Sequence, residues 1–221
     1  MRPLTSLVPL LVLASIATPL AAQSDALCPP AVERNGITVG CSVLARDDLG
    51  RLLIRPPLYW HIDVYGLRSA AEHVAHADKR STVVEAYGKV WLFTIAPFEW
   101  RSPDGERWGT IGPLRVEDDV LDYRAVYVQG ALDPFLASTP HRHDGAEAWF
   151  TLEGSICAET PEGKQEQSVG EPGGIVVPGG APMVLTGTGT GPHRALGVIL
   201  QSAKRPLSTP VTDWTPKKLC Q

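Results

Sequence analysis

The segment that decides the fold is His141-Arg142-His143-Asp144-Gly145-Ala146-Glu147-Ala148-Trp149-Phe150-Thr151-Leu152-Glu153-Gly154. Side chains two residues apart on an extended strand point to the same face of a sheet. His141, His143 and Glu147 are separated by even numbers of residues, so their side chains can lie on one face and point to one spot. The apolar run that follows Glu147 indicates a buried strand. Two imidazoles and one carboxylate that meet in this way predict a facial triad for a first-row transition metal.

The spacing H-x-H-x3-E-x6-G of this segment resembles the first signature of the cupin superfamily. The resemblance implies a jelly-roll β-barrel in which His141, His143 and Glu147 are metal ligands. It also makes Glu147 the candidate catalytic residue. The second cupin signature reads P-x-G-x-x-H-x-x-x-N, and here only Pro178 and Gly180 match it. The resemblance covers residues 120–201, which is less than half of the chain.

Met183 stands where the second signature has its third metal-binding histidine, and Gly187 replaces the asparagine. A thioether is a soft ligand that favours copper, especially Cu(I). One interpretation therefore makes Met183 a weak axial ligand to copper. The other makes it an apolar wall beside Fe, Mn, Zn or Cu held by the triad alone, and this is favoured because methionine more often packs than ligates. His193 is the one histidine downstream. It is interpreted as an exposed loop residue, with a substitute ligand as the alternative.

Short β-rich runs with glycine and proline between them dominate the second half of the chain, as in sandwiches and barrels. Seven strands are predicted there: Tyr123–Gln129, Ala146–Leu152, Ser155–Glu159, Gln165–Val169, Gly174–Val177, Met183–Thr186 and Ala195–Gln201. With the resemblance, the sequence predicts a mostly β protein built on a cupin-type jelly-roll β-barrel. The predicted division is a signal peptide over residues 1–22, an N-terminal lobe over 23–118, the cupin barrel over 119–203 and a C-terminal tail over 204–221.

The N-terminal lobe is predicted to be a β-α-β-β extension of the barrel. Its elements are a strand over Leu58–Tyr65, a helix over Ala70–Ala77 capped by Ser69, and two β runs around Gly88, Thr82–Tyr87 and Lys89–Ala96. A further short strand is expected over Ile37–Leu44, followed by a turn at residues 46–50. His73 and His76 share one helix face and are interpreted as surface residues rather than a metal pair.

Residues 98–109 of the lobe are expected to form a loop that carries Trp100 and Trp108. These tryptophans either cover a pocket as a lid or fill an exposed edge of the core.

Residues 1–22 combine a positive start, an apolar run from Leu7 to Leu20 and small residues at the end, which is the pattern of a cleaved export signal. The apolar run is too short for a membrane span. We therefore expect a periplasmic or secreted protein with no membrane span after cleavage. An uncleaved N-terminal anchor is the alternative.

The mature part holds four cysteines, Cys28, Cys41, Cys157 and Cys220, and an even count in an exported chain predicts two disulfides. Four cysteines allow three pairings, and all three stay open. A thiolate metal site is disfavoured because the chain has no C-x-x-C pair.

Composition and charge restrict the classes of function. Hydrophobic residues make up 43% and charged residues 20% of the chain, which is typical of a globular protein. A net charge of −4 offers no basic face for nucleic acid. The partner expected from the resemblance is a small molecule, and a homodimer is an expectation of the family alone.

Two functions remain. The first is a metal-dependent oxidoreductase, dioxygenase-like, in which one divalent transition metal (Cu, Fe, Mn or Zn) orients and activates a small organic molecule. The second is a cupin that binds copper or a small molecule without turnover. Metal-free cupins with a structural or binding role are a further alternative within the fold.

Overall fold

The computed structural model describes residues 32–34 and 37–221, with side chains from Val39 onward. Residues 1–22 and Cys28, on which the export signal and one of the disulfide cysteines were predicted, lie outside this described part. The elements in chain order are β1 (Val32–Arg34), β2 (Ile37–Gly50), β3 (Leu58–Tyr65), α1 (Arg68–Ala77), β4 (Ser81–Ala86), β5 (Lys89–Pro97), β6 (Glu106–Leu114), β7 (Tyr123–Leu132), β8 (His141–Arg142), β9 (Ala146–Glu153), β10 (Ser155–Thr160), β11 (Gly163–Ser168), β12 (Ile175–Val177), β13 (Val184–Thr188), β14 (His193–Ser202) and β15 (Thr209–Pro210).

The strands form a six-stranded sheet in the order β1-β2-β7-β14-β9-β12, a three-stranded sheet β11-β10-β13 and a two-stranded ribbon β15-β8. All strand pairs of these sheets are antiparallel. This arrangement confirms the mostly β, jelly-roll prediction. All seven strands predicted in the second half are present, with ends that differ by at most three residues.

A four-stranded sheet, β4-β5-β3-β6, packs on the outer face of the six-stranded sheet. The apolar residues between them form the inter-sheet cluster, in which Trp60, Trp91 and Phe93 from one sheet meet Tyr127 and Phe150 from the other. The even-numbered neighbours on β7, Val126 and Val128, face the opposite way. The six-stranded sheet is thus apolar on both faces, which explains why its strands lack hydrophobic-polar alternation.

The residues on the inner face form the interior cluster of the jelly roll: Val126, Val128, Trp149, Ile156, Ala158, Ile175, Val177, Met183, Leu185, Ala195, Ile199 and Leu207. Strands from the six-stranded and three-stranded sheets both contribute to it. The interior is therefore a packed apolar core into which the polar centre described below is set.

The N-terminal lobe contains the predicted strand, helix and hairpin, together with one strand that was missed. The turn at Tyr87 and Gly88 has φ values of 51° and 72° at its two central residues, as a two-residue hairpin turn requires. The predicted cap at Ser69 is wrong, since α1 begins at Arg68 after Leu67 with no side-chain cap. β6 occupies part of the predicted loop, and Trp108 lies within it.

β2 differs most from its sequence-based interpretation. It runs through Gly50 instead of ending before a turn at residues 46–50, and it pairs along its length with β7 in the six-stranded sheet. Two register shifts interrupt this pairing, between Val43 and Ala45 and between Asp48 and Gly50. Bulges of this kind bend a long strand around a curved sheet. A segment that was predicted to belong to the N-terminal lobe thus adds a strand to the jelly-roll sheet.

The C-terminal tail lies against the three-stranded sheet and β8. A disulfide joins Cys220 to Cys157 on β10, with a Cα–Cα distance of 5.8 Å. Cys41 is also disulfide-bonded. The Glu159 carboxylate accepts the backbone N–H groups of Lys217 and Leu219, so the tail is also fixed just before the disulfide. Among the described residues, no helix is long and apolar enough to cross a membrane.

Candidate metal centre

The structure brings His141, His143 and Glu147 together inside the jelly roll. His141 belongs to β8, His143 follows it, and Glu147 is the second residue of β9. One ligand atom from each residue lies within 4.8 Å of the others. All three side chains are at most 3% exposed. Within the described part of the chain, no other group of histidine, cysteine and carboxylate side chains converges in this way.

The turn between the two histidines and the glutamate requires a glycine. A Cβ atom at Gly145 would lie 2.0 Å from the carbonyl oxygen of Leu200 on β14. Only a residue without a side chain allows this approach of two backbones. The glycine within the motif therefore lets the chain turn from β8 into β9 directly against the backbone of β14.

Backbone carbonyls set the tautomers of both imidazoles. The Nδ1 of His141 lies 2.8 Å from the carbonyl oxygen of Thr139, and the Nδ1 of His143 lies 2.5 Å from that of Leu207. A neutral imidazole that donates from Nδ1 carries its lone pair on Nε2. Both Nε2 atoms are buried and have no hydrogen-bond partner in the protein. The same is true of Oε2 of Glu147. Three orphaned lone-pair atoms at one place are what a cation would satisfy, so the donor set fits a metal ion.

Burial controls the protonation of the centre. It lowers the pKa of His143 to about 4 and also lowers the pKa of His141. It raises the pKa of Glu147 to about 7. Both imidazoles are therefore neutral near neutral pH, as ligation requires. The Glu147 carboxyl, in contrast, is only partly ionised in that range. The His143 Nε2 and Glu147 Oε1 atoms are 3.6 Å apart, which is too far for a hydrogen bond between them.

Met183 lies directly opposite His141 in an antiparallel backbone pair. The Met183 N–H donates to the His141 carbonyl at 2.8 Å, and the His141 N–H donates to the Met183 carbonyl at 3.1 Å. Residues opposed in this way place their side chains on the same face. Met183 is 1% exposed and packs in the interior cluster. Its position borders the centre, and both the ligand and the wall interpretation remain proposals.

The other histidines lie outside this centre. His193 begins β14 and is buried, so the expectation of an exposed loop residue is wrong. Its Nδ1 accepts the Ser155 N–H at 3.1 Å, and its ring packs so closely against Gly154 and Gly187 that neither could carry a side chain. His193 takes no part in the converging ligand group. His73 and His76 are exposed on α1.

The tryptophans of residues 98–109 cover the N-terminal sheet. Trp108 packs edge-on against Trp91, with ring centroids 5.3 Å apart. Trp100 lies over the Arg107 guanidinium at 5.5 Å and against His61 at 5.2 Å. Their partners are residues of β3, β5 and β6, which agrees with the filling of an exposed core edge.

Two parts of the centre's surroundings were missed in the sequence. The first is the C-terminal tail, whose Leu207 carbonyl orients His143 and whose β15 pairs with β8. A main-chain carbonyl carries no sequence signal, so no motif could have identified it. The second is a set of arginines on β2, β7 and the tail, which line a cavity together with Leu207.

The jelly roll, with two imidazoles and a carboxylate brought together by an H-x-H-x3-E segment, resembles the fold and first signature of the cupin superfamily. No protein-family model matches the chain, and no curated protein sequence matches it. Solved structures that resemble it include a polyketide cyclase from Streptomyces resistomycificus, with 28% identity over 40% of this chain and a TM-score of 0.33.

Two further solved structures are similar over a comparable share of the chain. One is a cupin domain from Bordetella pertussis, with 16% identity over 42% of this chain and 95% of its own, and a TM-score of 0.31. The other is an oxalate oxidase in complex with the substrate analogue glycolate, with 16% identity over 40% of this chain and a TM-score of 0.32. This chain spans 61% of the polyketide cyclase and 46% of the oxalate oxidase.

Proposed function

We propose that this chain is an exported metallo-cupin in which His141, His143 and Glu147 hold one divalent transition metal, Cu, Fe, Mn or Zn. We further propose that it is a metal-dependent oxidoreductase, dioxygenase-like, which acts on a small organic molecule. The observation that carries the proposal is the convergence of three buried lone-pair atoms that have no protein partner. Such atoms are costly to bury unless something binds them.

A metal bound at this place would supply Lewis-acid and template chemistry for a substrate. The protein residues have separate tasks. The Thr139 and Leu207 carbonyls keep the protons of His141 and His143 on Nδ1. Glu147 supplies the negative charge, and the apolar residues of the interior cluster keep bulk water away from the centre. Low water access strengthens every electrostatic interaction within the site.

A second candidate function is a cupin that binds copper, or a small molecule, without turnover. The observation that favours it is the position of the Met183 side chain on the same face as His141. A thioether next to two imidazoles suits copper better than it suits Fe, Mn or Zn.

Elemental analysis of the exported protein is the first test. We expect close to one equivalent of a transition metal per chain in the wild-type protein and a large loss in His141→Ala and Glu147→Ala. His76→Ala, at an exposed position on α1, is the matched control and should keep the metal. Protein with no bound metal and no affinity for added Cu, Fe, Mn or Zn would contradict the proposal.

Two measurements then separate the candidate functions. Substrate-dependent oxygen uptake that is lost in Glu147→Ala supports the oxidoreductase. Metal binding without oxygen uptake across a substrate panel supports the cupin that binds without turnover. The Met183→His variant should shift the preference from Cu(I) toward harder ions if Met183 is a ligand. An unchanged preference would mean that Met183 is an apolar wall.

A further inference from the structure

A cavity of about 310 Å³ is rich in arginine and includes Leu207, the residue whose carbonyl orients His143. Arg46, Arg124 and Arg205 line it, together with the polar side chain of Gln201. Val126 and Leu207, which both belong to the interior cluster, contribute apolar lining. We call this space the arginine cavity. Its volume is at the lower end of the range for small-molecule sites.

Strand register connects the arginine cavity to the centre. Arg46 on β2 lies opposite Val126 on β7, Val126 lies opposite Ile199 on β14, and Ile199 lies opposite Glu147 on β9. Side chains opposed across a sheet point to the same face. Arg46 and Glu147 are therefore members of one row on the inner face of the six-stranded sheet. Arg124 and Gln201 form the next row toward the rim.

Contacts beside the cavity lead directly to His143. Leu207, in the cavity lining, accepts the Nδ1 proton of His143 through its carbonyl. Gln201 accepts the N–H of Asp144, the residue after His143, at 3.3 Å. Since the His141, His143 and Glu147 side chains are almost fully buried, a substrate needs an opening near them. The arginine cavity is our candidate for it, because Val126 and Leu207, which line the cavity, also belong to the interior cluster.

The charge of the cavity lining favours an anion. No acidic residue lines it, although acids lie behind two of the arginines. Asp48 binds Nε and Nη2 of Arg124 at 2.6 and 3.1 Å, which leaves Nη1 outside the salt bridge and fixes the guanidinium plane. Asp144 lies 3.3 Å from Nε of Arg205, and the two terminal nitrogens of that guanidinium stay outside this contact. Pre-oriented guanidinium groups are suited to the two oxygens of a carboxylate.

We propose that the arginine cavity binds a small organic carboxylate and thereby sets the substrate class of the metal centre. This inference rests on the proposed function only in naming the bound carboxylate as substrate. Carboxylate binding itself depends on the arginines and not on the metal. The substrate would enter with its carboxylate at Arg124 and Arg205 and its remainder toward Val126 and Leu207.

The test measures the binding of succinate and benzoate by calorimetry, with succinamide and benzamide as neutral probes of matched shape. We expect both carboxylates to bind the wild-type protein and the amides to bind at least about tenfold more weakly. Arg124→Gln and Arg205→Gln should each weaken carboxylate binding by about tenfold or more, and Lys at either position should restore part of it. Binding should also weaken as salt is raised.

Arg115→Gln is the matched control, since Arg115 lies in a different cavity that also contains Glu117 and Asp144. It should bind succinate and benzoate as the wild type does. Binding of amides and carboxylates with equal affinity, or an equal loss in Arg115→Gln, would overturn the proposal, as would the absence of carboxylate binding.

The same titrations in a His141→Ala variant separate this inference from the proposed function. Arginine-dependent carboxylate binding in that variant supports the arginine cavity whatever the metal analysis shows. If the protein binds metal but does not bind carboxylates, the proposed function stands and this inference is wrong.

Discussion

At the scale of single residues, the burial of Glu147 should be measurable as a proton that is released when a metal ion binds. Its pKa of about 7 means that it is largely protonated below neutral pH when no cation is present. A bound cation requires the ionised form. Burial lowers the pKa of His143 to about 4 and also lowers the pKa of His141, so Glu147 is the ligand expected to hold a proton near neutral pH.

Metal binding at about pH 6 should therefore release about one proton per ion, and the release should fall toward zero at about pH 8.5. Calorimetry with Zn²⁺ in two buffers of different ionisation enthalpy measures it. Glu147→Gln should abolish the release and weaken Zn²⁺ binding by more than the roughly 10–100-fold typical of supporting residues. Release that is the same in the variant would assign the proton to another group.

A second prediction concerns the close backbone approach at Gly145. Gly145→Ala should destabilise the protein by about 2 kcal/mol or more, because the added Cβ would lie 2.0 Å from the Leu200 carbonyl and neither backbone can move without displacing β9 or β14. Urea unfolding measures the change. Gly191→Ala is the control, since nothing lies within 4 Å of a Cβ there. Equal stability of the two variants would contradict the close approach.

At the scale of elements, the lobe is held by a buried polar network between β3 and β6. Arg107 on β6 donates to Asp63 at 2.7 Å, to His61 at 2.6 Å and to Thr110 at 2.9 Å. His61 donates to the Pro97 carbonyl at 2.9 Å, so its Nδ1 is an acceptor for the guanidinium. The network requires a neutral His61, and burial together with the adjacent Arg107 lowers the pKa of His61 to about 4.

This network predicts acid sensitivity of the fold. In the unfolded chain His61 takes up a proton near its ordinary pKa of about 6.5, whereas in the folded protein it does so only near 4. Between these values the unfolded state binds more protons, so stability falls as the pH falls from about 6.5 to 4. The loss should be on the order of 2 kcal/mol.

Urea unfolding across this pH range tests the prediction. His61→Gln should have a flatter profile than the wild type, and His73→Gln, an exposed control on α1, should follow the wild type. Parallel profiles in the wild type and His61→Gln would assign the acid sensitivity to other groups.

The same lobe illustrates where sequence patterns stop being informative. β3, β4 and β5 are rich in β-branched and aromatic residues, and they were predicted within one or two residues. β6 was missed because its sequence mixes charged residues with Gly109, Gly112 and Pro113, and it becomes a strand by pairing with β3. The Glu106–Leu114 segment is therefore a case of tertiary context that overrides local preference.

At the scale of the whole molecule, the candidate site was predictable only in part. The parity of His141, His143 and Glu147 places three ligands on one face, and the structure does bring them together. The arginines of the cavity come from β2, β7 and the tail, residues far apart in the chain. Their proximity follows from the register of β2 on β7, and no local motif encodes that register.

The C-terminal tail contributes both to the stability of the fold and to the geometry of the centre. It closes over β8 through β15, through the Val211 N–H to the Pro140 carbonyl at 3.0 Å and through Arg142 to Asp213 at 2.6 Å. The disulfide to Cys157 fixes its end, and its Leu207 carbonyl orients the His143 ring. The tail therefore links a buried covalent restraint at its end to the geometry of a buried ligand.

Removal of this restraint in Cys157→Ser/Cys220→Ser should lower the free energy of unfolding by about 2–4 kcal/mol. It should also weaken Zn²⁺ binding, because a tail that detaches more often leaves the Nδ1 proton of His143 without its acceptor and the ring without a fixed orientation. Thermal unfolding and Zn²⁺ titration measure the two effects. Asp213→Asn removes only an exposed salt bridge of the tail and should change stability by less than about 1 kcal/mol and leave Zn²⁺ affinity unchanged. A double serine variant that is less stable but binds Zn²⁺ as tightly as the wild type would mean that the tail stabilises the fold without orienting His143.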